Sequence, residues 1–230
     1  MNLLREYIRG IMEAEEAELQ ATPEVQPESI IYCDMDGVLV DFQTSTIDLV
    51  SALVSGKHVP GIYPDKSYLR LLGKIKAELG DDFVVSSGAD LDLKPVRNFM
   101  FLVIGTDPAR FYASLPPLDD AISQLWPFIN GTGHGVKLLT AGVRGLPGTG
   151  TSEEGKTRWA MENLKPNPSA VIEAPATQKV EFAITAGIPH ILIDDKASTV
   201  RAWDEAGGIA ILHTPGGSSA TIARLQELGL

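Results

Sequence analysis

Three aspartates, Asp34, Asp36 and Asp41, follow the apolar run Ile30 to Cys33 in the stretch IIYCDMDGVLVDF, with Gly37 directly after the second. Carboxylates at the end of a buried strand are costly to desolvate unless something binds there. Two later stretches repeat the pattern: GVKLLTAG ends in Thr140, and HILIDD ends in Asp194 and Asp195. In a parallel α/β sheet, ligands bind outside the carboxyl ends of the strands. If these three strands are neighbours, their ends converge on one point. Clustered carboxylates repel one another and require a hard cation, and Mg²⁺ suits oxygen donors at an open site. A carboxylate beside such a cation can attack phosphorus and form an aspartyl phosphate. A second carboxyl group two residues on can protonate the leaving oxygen and later activate water. A threonine hydroxyl can hold a phosphate oxygen, and a lysine can offset the charge that grows in the transition state. Asp34 is then the candidate nucleophile and Asp36 the candidate acid/base, while Asp41 reads better as a turn or helix-start residue.

The elements that must position these groups follow from the hydrophobic pattern. The first strand covers 29–33. From Gly135 onward strands and helices alternate. The strand GVKLLTAG precedes the helix SEEGKTRWAMENL, with Ser152 as its expected N-cap and Glu153 and Glu154 in its first turn. SAVIEA is a short strand, VEFAITAG is open to a helix, and HILIDD is a strand. STVRAWDEAGG is a helix stopped by glycine, IAILHT a last strand and SATIARLQELGL a last helix. Such alternation predicts an α/β fold with a parallel sheet. Residues 43–114 carry the helical patterns STIDLVSALVSG and SYLRLLGKIKAELG, and DDFVVSSGADLD, whose type the pattern does not assign. An insertion there, directly after the first strand, sits over the site and can exclude water. LPPLDDAISQLWPFIN opens with prolines and becomes a helix. In residues 1–28, Leu3, Leu4, Tyr7, Ile8, Ile11 and Met12 recur at helical spacing before the linker ATPEVQPES. The expected organisation is that helix and linker, a core of 29–42 plus 115–230, and the inserted cap.

Composition narrows the partners. The net charge of −11 argues against a nucleic-acid duplex, which needs clustered Lys and Arg. An acidic protein that acts on phosphates must recruit a cation locally. The single cysteine, Cys33, excludes an intrachain disulfide and suits a reducing compartment; its place in a strand makes it a core thiol. No apolar run is long enough to span a bilayer, and the charged N-terminus lacks a signal-peptide core, so the expected location is cytoplasmic.

These residues resemble a family. DMDGVLVDF is similar to the first motif of the haloacid dehalogenase (HAD) superfamily, KLLTAG to its second, and HILIDDKASTVRAWDEAGGIAIL to its fourth. Within it the likeness is nearest to the 5′(3′)-deoxyribonucleotidases and their phage and bacterial relatives, and FYASLPPLDDA looks like their return from cap to core. The resemblance implies a HAD-like Rossmannoid core with a mainly helical cap. It also implies an Mg²⁺-dependent phosphomonoesterase acting on small phosphorylated substrates, (deoxy)nucleoside monophosphates among them. Asp34 would be nucleophile and metal ligand, and Asp36 the acid/base that also offers its backbone carbonyl to the metal. Thr140 and the Ala141 amide would hold the phosphate. Asp195, in preference to Asp194, would complete the metal shell, with Asp194 supporting it. For the third-motif lysine the resemblance prefers Lys179 in TQKVEFA, with Lys156 in EEGKTRWAMENL as second choice, expected on a solvent-facing helix. Phe42 after the first motif, and Phe111 and Tyr112 at the cap's exit, are candidates to stack on a base; core packing is equally open for the last two.

Two other readings compete. GTSEEGKT, Gly150 to Thr157, matches the phosphate-cradling pattern G-x-x-x-x-G-K-[ST]. That loop should follow a strand directly, yet the strand ends at Thr140, and Glu153 and Glu154 point acid at an anion. A phosphoaspartate receiver, or a binding protein that has lost turnover, also fits acids, a threonine and a lysine on a parallel sheet. The D-x-D-G spacing and the insertion favour the phosphatase.

Overall fold

The structure, a computed structural model, describes residues 24–230. The amphipathic segment expected at the N-terminus lies outside the described residues, apart from the end of its linker.

In chain order, β1 (Ile30–Cys33) is followed by five helices: α1 (Phe42–Val54), α2 (Lys66–Leu79), α3 (Gly88–Asp92), α4 (Lys94–Thr106) and α5 (Pro108–Ala113). After a π-helical turn at Ala121–Leu125 come α6 (Trp126–Gly131), β2 (Gly135–Thr140), α7 (Ser152–Asn163) and β3 (Val171–Glu173). A 3-10 segment (Ala176–Phe182), the short pair β4 (Ile184–Thr185) and β5 (Ile188–Pro189), β6 (Ile191–Asp194), α8 (Ala197–Glu205), β7 (Ile209–Leu212) and α9 (Ser218–Glu227) complete the chain. Five strands form one parallel sheet in the order β3-β2-β1-β6-β7. From β1 the chain winds outward through β2 to β3 and then crosses to β6 on the other side. A sheet order that reverses in this way leaves a crevice at the carboxyl ends, and here it opens above β1. Alternate residues face opposite sides of the sheet. Ile31, Cys33, Leu138, Ile191 and Ile193 enter one buried cluster, and Tyr32, Leu139, Leu192 and Trp203 the other.

Residues 42–113 contain helices and loops only. Tyr68 of α2 packs against Phe99 of α4, ring centroids 4.9 Å apart. Asp41 caps α1, accepting from the Thr44 amide at 3.0 Å, as expected of a helix-start residue. The unassigned DDFVVSSGADLD becomes irregular chain followed by α3, capped by Ser87 and Asp90.

Three local expectations are corrected. The N-cap of α7 is Thr151, in a reciprocal capping box with Glu154, and the Ser152 hydroxyl instead donates to the Val143 carbonyl at 3.2 Å. VEFAITAG is no α-helix: the 3-10 segment gives way to the β4–β5 hairpin, because Ala186 and Gly187 take the left-handed turn conformation (φ 53° and 83°). The helix expected in LPPLDDAISQLWPFIN starts as a π turn, next to Pro127, which has no N–H to donate.

Helices α5 and α7 meet closely. A Cβ on Gly155 would lie 2.5 Å from the Ala109 carbonyl oxygen and 2.9 Å from its Cα, and one on Gly150 would lie 2.6 Å from the Ala109 Cβ. Nearby, the Arg158 guanidinium donates to the Ala109 carbonyl at 3.1 Å, and the Trp159 indole donates to the Leu115 carbonyl at 2.8 Å. Gly155→Ala should therefore destabilise the protein by about 1–3 kcal/mol, the usual cost of forcing atoms into a filled contact, although alanine is the better helix former. A Cβ on Gly73 in α2 would meet nothing within 4 Å, so Gly73→Ala should stabilise by up to about 1 kcal/mol. Urea unfolding of both variants checks the pair, and equal effects of the same sign would refute the packing argument.

Candidate active site

The crevice above β1 collects the predicted acids. Asp34 leaves β1 with its amide donating to the Ile193 carbonyl of β6 at 2.8 Å, and its Oδ1 accepts from the Met35 amide at 2.7 Å. The chain then turns through Gly37, whose φ of 75° disfavours a side chain. A Cβ there would also collide with Asp195 Oδ2. Carboxylate oxygens of Asp34, Asp194 and Asp195 all lie within 4.8 Å of one another. Asp194 ends β6, and Asp195 follows it just outside the strand.

Lys179 reaches this cluster from the 3-10 segment. Its ammonium lies 2.9 Å from Asp34 Oδ2 and 2.7 Å from Asp194 Oδ2, and the residue is buried. Burial works against its charge, but Asp34 and Asp194 outweigh that and hold its pKa above the ordinary value. Burial, then the Asp34 charge, pushes Asp194 up. Asp195 rises to about 7, through burial and then the charges of Asp34, Asp194 and Asp36.

Lys156 corrects an expectation. It is not a solvent-facing lysine: it is fully buried, on the face of α7 that holds Ser152, Gly155, Trp159 and Ala160. Its ammonium donates to Asp36 Oδ2 at 2.8 Å, Thr140 Oγ1 at 2.6 Å and the Ala141 carbonyl at 2.5 Å. The two glycines of GTSEEGKT press on Ala109 and its lysine is engaged inside the protein. That stretch is therefore a helix-packing motif and offers no open phosphate loop.

A cleft of about 450 Å³ lies over the acids. Asp34, Asp36, Ala141, Lys179, Asp194 and Asp195 form its floor, and Gln43, Gly88, Leu91, Asp92, Met100 and Phe101 of the inserted helices line its far side. Phe42 lines it too. Phe111 and Tyr112 do not: α5 turns toward α7, and both rings pack behind Phe42, with centroids 5.9 and 6.1 Å from it. Of the two readings open for this pair, core packing is the one observed: Tyr112 is buried, and Phe111 is partly buried and away from the cleft. Sequence reasoning passes over Phe101, whose 46% exposure beside buried Met100 is visible only in the fold. Gln43, Leu91 and Asp92 give no sequence signal either, since only the packing of α3 beside α1 brings them together.

No family model matches the chain, and no curated protein matches it. Among solved structures it is similar to a haloacid dehalogenase-like family hydrolase from Streptococcus pneumoniae, with TM-score 0.45 and 14% identity over 87% of this chain and 91% of that one. Another is a phosphonoacetaldehyde hydrolase-like protein from Oleispira antarctica, with TM-score 0.45 and 13% identity over 86% and 76%. A third is a HAD family enzyme from Bacteroides thetaiotaomicron in complex with magnesium and inorganic phosphate, with TM-score 0.41 and 15% identity over 82% and 96%. Scores of this size leave the function to be argued from the chain's own residues.

The Asp195 carboxyl gives a pH prediction. Its folded pKa of about 7 stands above the ordinary 3.8, so the folded chain holds the proton more tightly than the unfolded one. Without metal, its contribution to stability is fully present below about pH 4 and is lost as pH rises to about 7. Exposure of Asp195 to solvent softens the effect. In excess chelator, the melting temperature of the parent relative to Asp195→Asn should fall as pH rises from about 4 to about 7. A difference that stays flat or rises would show the acids do not interact as described.

Proposed function

We propose that the protein is an Mg²⁺-dependent phosphomonoesterase of the HAD type, working through an aspartyl phosphate on Asp34 and acting on small phosphorylated substrates. The observation that carries this reading is the convergence of Asp34, Asp194 and Asp195 within 4.8 Å, bridged by a buried lysine, on the floor of a cleft roofed by inserted helices. The donor set fits a hard divalent cation: three carboxylates on adjacent strand ends, with one left at a pKa of about 7. Asp34, Asp194 and Asp195 would hold it, joined, as the resemblance implies, by the Asp36 backbone carbonyl. When bound, the cation supplies compensation for the charge on the phosphate oxygens.

The chain's own residues then have distinct tasks. An oxygen of the Asp34 carboxylate attacks phosphorus as the bond to the leaving oxygen breaks. Lys179, already beside Asp34, offsets charge on the transferring group. Asp36 protonates the leaving oxygen and afterwards takes a proton from the water that releases phosphate. Ala141 lines the cleft floor and offers its amide there, whereas Thr140, expected to hold the phosphate, is fully buried, does not line the cleft and accepts from Lys156. Leu91, Met100, Phe101, Phe42 and Leu118 supply apolar and aromatic wall. That wall supports a flat, partly apolar leaving group, and hence a (deoxy)nucleoside monophosphate, as substrate.

Phosphate release from a panel of phosphomonoesters, with Mg²⁺ and with excess EDTA, tests the reading. Release should require the metal and should be strongest with nucleoside monophosphates. Asp34→Asn should abolish it while leaving the fold intact, and activity within about tenfold of the parent would exclude Asp34 as nucleophile. Lys179→Ala should lower kcat by roughly 10²-fold or more, the scale for losing an electrostatic group at a transition state.

A further inference from the structure

Lys156 lies outside the tasks just given, yet it is one of the largest fully buried side chains in the protein. An ammonium has three N–H donors and no acceptor, and here three acceptors surround it: Asp36 Oδ2, Thr140 Oγ1 and the Ala141 carbonyl. Its fourth contact is the face of Tyr112, 4.4 Å from the ring centroid. No donor is left for a substrate, and Lys156 does not line the cleft.

What its three partners have left to offer is informative. With Oδ2 occupied, Asp36 keeps Oδ1, which is buried and has no hydrogen-bond partner among the described residues. Thr140 accepts from Lys156, and its own hydroxyl points to the Ala141 carbonyl, 3.5 Å away. Because the Ala141 carbonyl is held, the peptide that carries the next amide is fixed in orientation. One side chain thus holds Asp36 and Ala141, which line the cleft floor, together with the Thr140 hydroxyl buried behind them. We propose that Lys156 is a positioning residue that, by holding Oδ2, fixes the Asp36 carboxyl at the cleft floor for proton transfer to the leaving oxygen. This rests on the phosphatase reading. In the first step the Asp34 O–P bond forms, the ester P–O bond breaks and the Asp36 carboxyl proton passes to the leaving oxygen. In the second, the water O–P bond forms, the Asp34 O–P bond breaks and a proton of that water passes to the Asp36 carboxylate.

The test uses the fact that kcat/KM reports events up to departure of the leaving group. A nucleoside monophosphate expels an alkoxide and needs the proton, whereas para-nitrophenyl phosphate expels a stable phenolate and does not. Lys156→Met should lower kcat/KM for the nucleoside monophosphate by roughly 10²-fold, the low end for general acid catalysis, and for para-nitrophenyl phosphate by less than about tenfold. In an Asp36→Asn background the same substitution should add less than about a threefold loss on either ester, as coupled residues do. A merely structural lysine would lower both esters alike and add its loss in both backgrounds, and either result overturns the proposal. If Lys156→Met fails to fold, Lys156→Gln carries the same comparison; failure of both would make Lys156 a folding residue and overturn the positioning role. If the parent hydrolyses neither ester, or Asp34→Asn keeps its activity, the phosphatase reading falls and this proposal with it. If the parent is active and only the leaving-group discrimination is missing, the positioning role alone falls.

Discussion

Four carboxylates, those of Asp34, Asp36, Asp194 and Asp195, share one end of the sheet, and their mutual repulsion is the constraint around which the molecule is arranged. Two like charges about 4 Å apart repel by about 4 kcal/mol even at an effective dielectric of about 20. Lys179 meets this by standing between Asp34 and Asp194, and Lys156 by standing on Asp36. Two ammonium groups against four acids leave two negative charges, the charge a divalent cation balances. The raised pKa of Asp195 expresses the same shortage: without such a cation, one proton is retained instead.

The two lysines reach the acids by different routes, and both routes depend on the sheet order. Because β1 is central, Asp34 and Asp36 can be approached from the β2 side and from the β6 side. Helix α7, after β2, delivers Lys156; the 3-10 segment before β6 delivers Lys179. For Lys156 to arrive, α7 must sit close to the inserted helices, because Tyr112 of α5 forms the other wall of its pocket. The close approach at Gly150 and Gly155 is what permits this. The residues that imitate a phosphate loop in sequence are, in the fold, the means of bringing a lysine under the Asp36 carboxylate.

Much of this is legible in the sequence. Strand ends carrying Asp34, Thr140 and Asp194 are local signals, and their alternation with helices implies a parallel sheet, so the acids can be gathered without coordinates. Lys156 is misjudged when charge weighs more than period. Ser152, Gly155, Lys156, Trp159 and Ala160 recur at i, i+3, i+4, i+7 and i+8, a buried helical face, and the lysine lies in the middle of it. Glu153 and Glu154 suggest a wet helix, yet they belong to the opposite side and to the capping box. Phe111 and Tyr112 are misplaced for a different reason: adjacency to the cap's exit fixes position along the chain, not the direction in which α5 turns its rings. The lining of the cleft by Gln43, Leu91 and Asp92 is not legible at all, since it depends on how short helices pack across a long insertion.

An overall charge of −11 would seem ill suited to an anionic substrate. Long-range attraction is not available to it, and exposed charges are in any case screened beyond about 8–10 Å in ordinary salt. Recognition must then act at short range, inside the cleft. There Leu91, Met100 and Phe101 of the inserted helices, with Leu118, place apolar wall around the acids, and a lower local dielectric strengthens each contact between charges. The same wall raises the cost of leaving the acids unbalanced. The insertion therefore does more than cover the floor. Placed immediately after the strand that leads to Asp34, it makes the floor intolerant of an incomplete set of charges, and on the proposed reading cation and phosphate complete that set together.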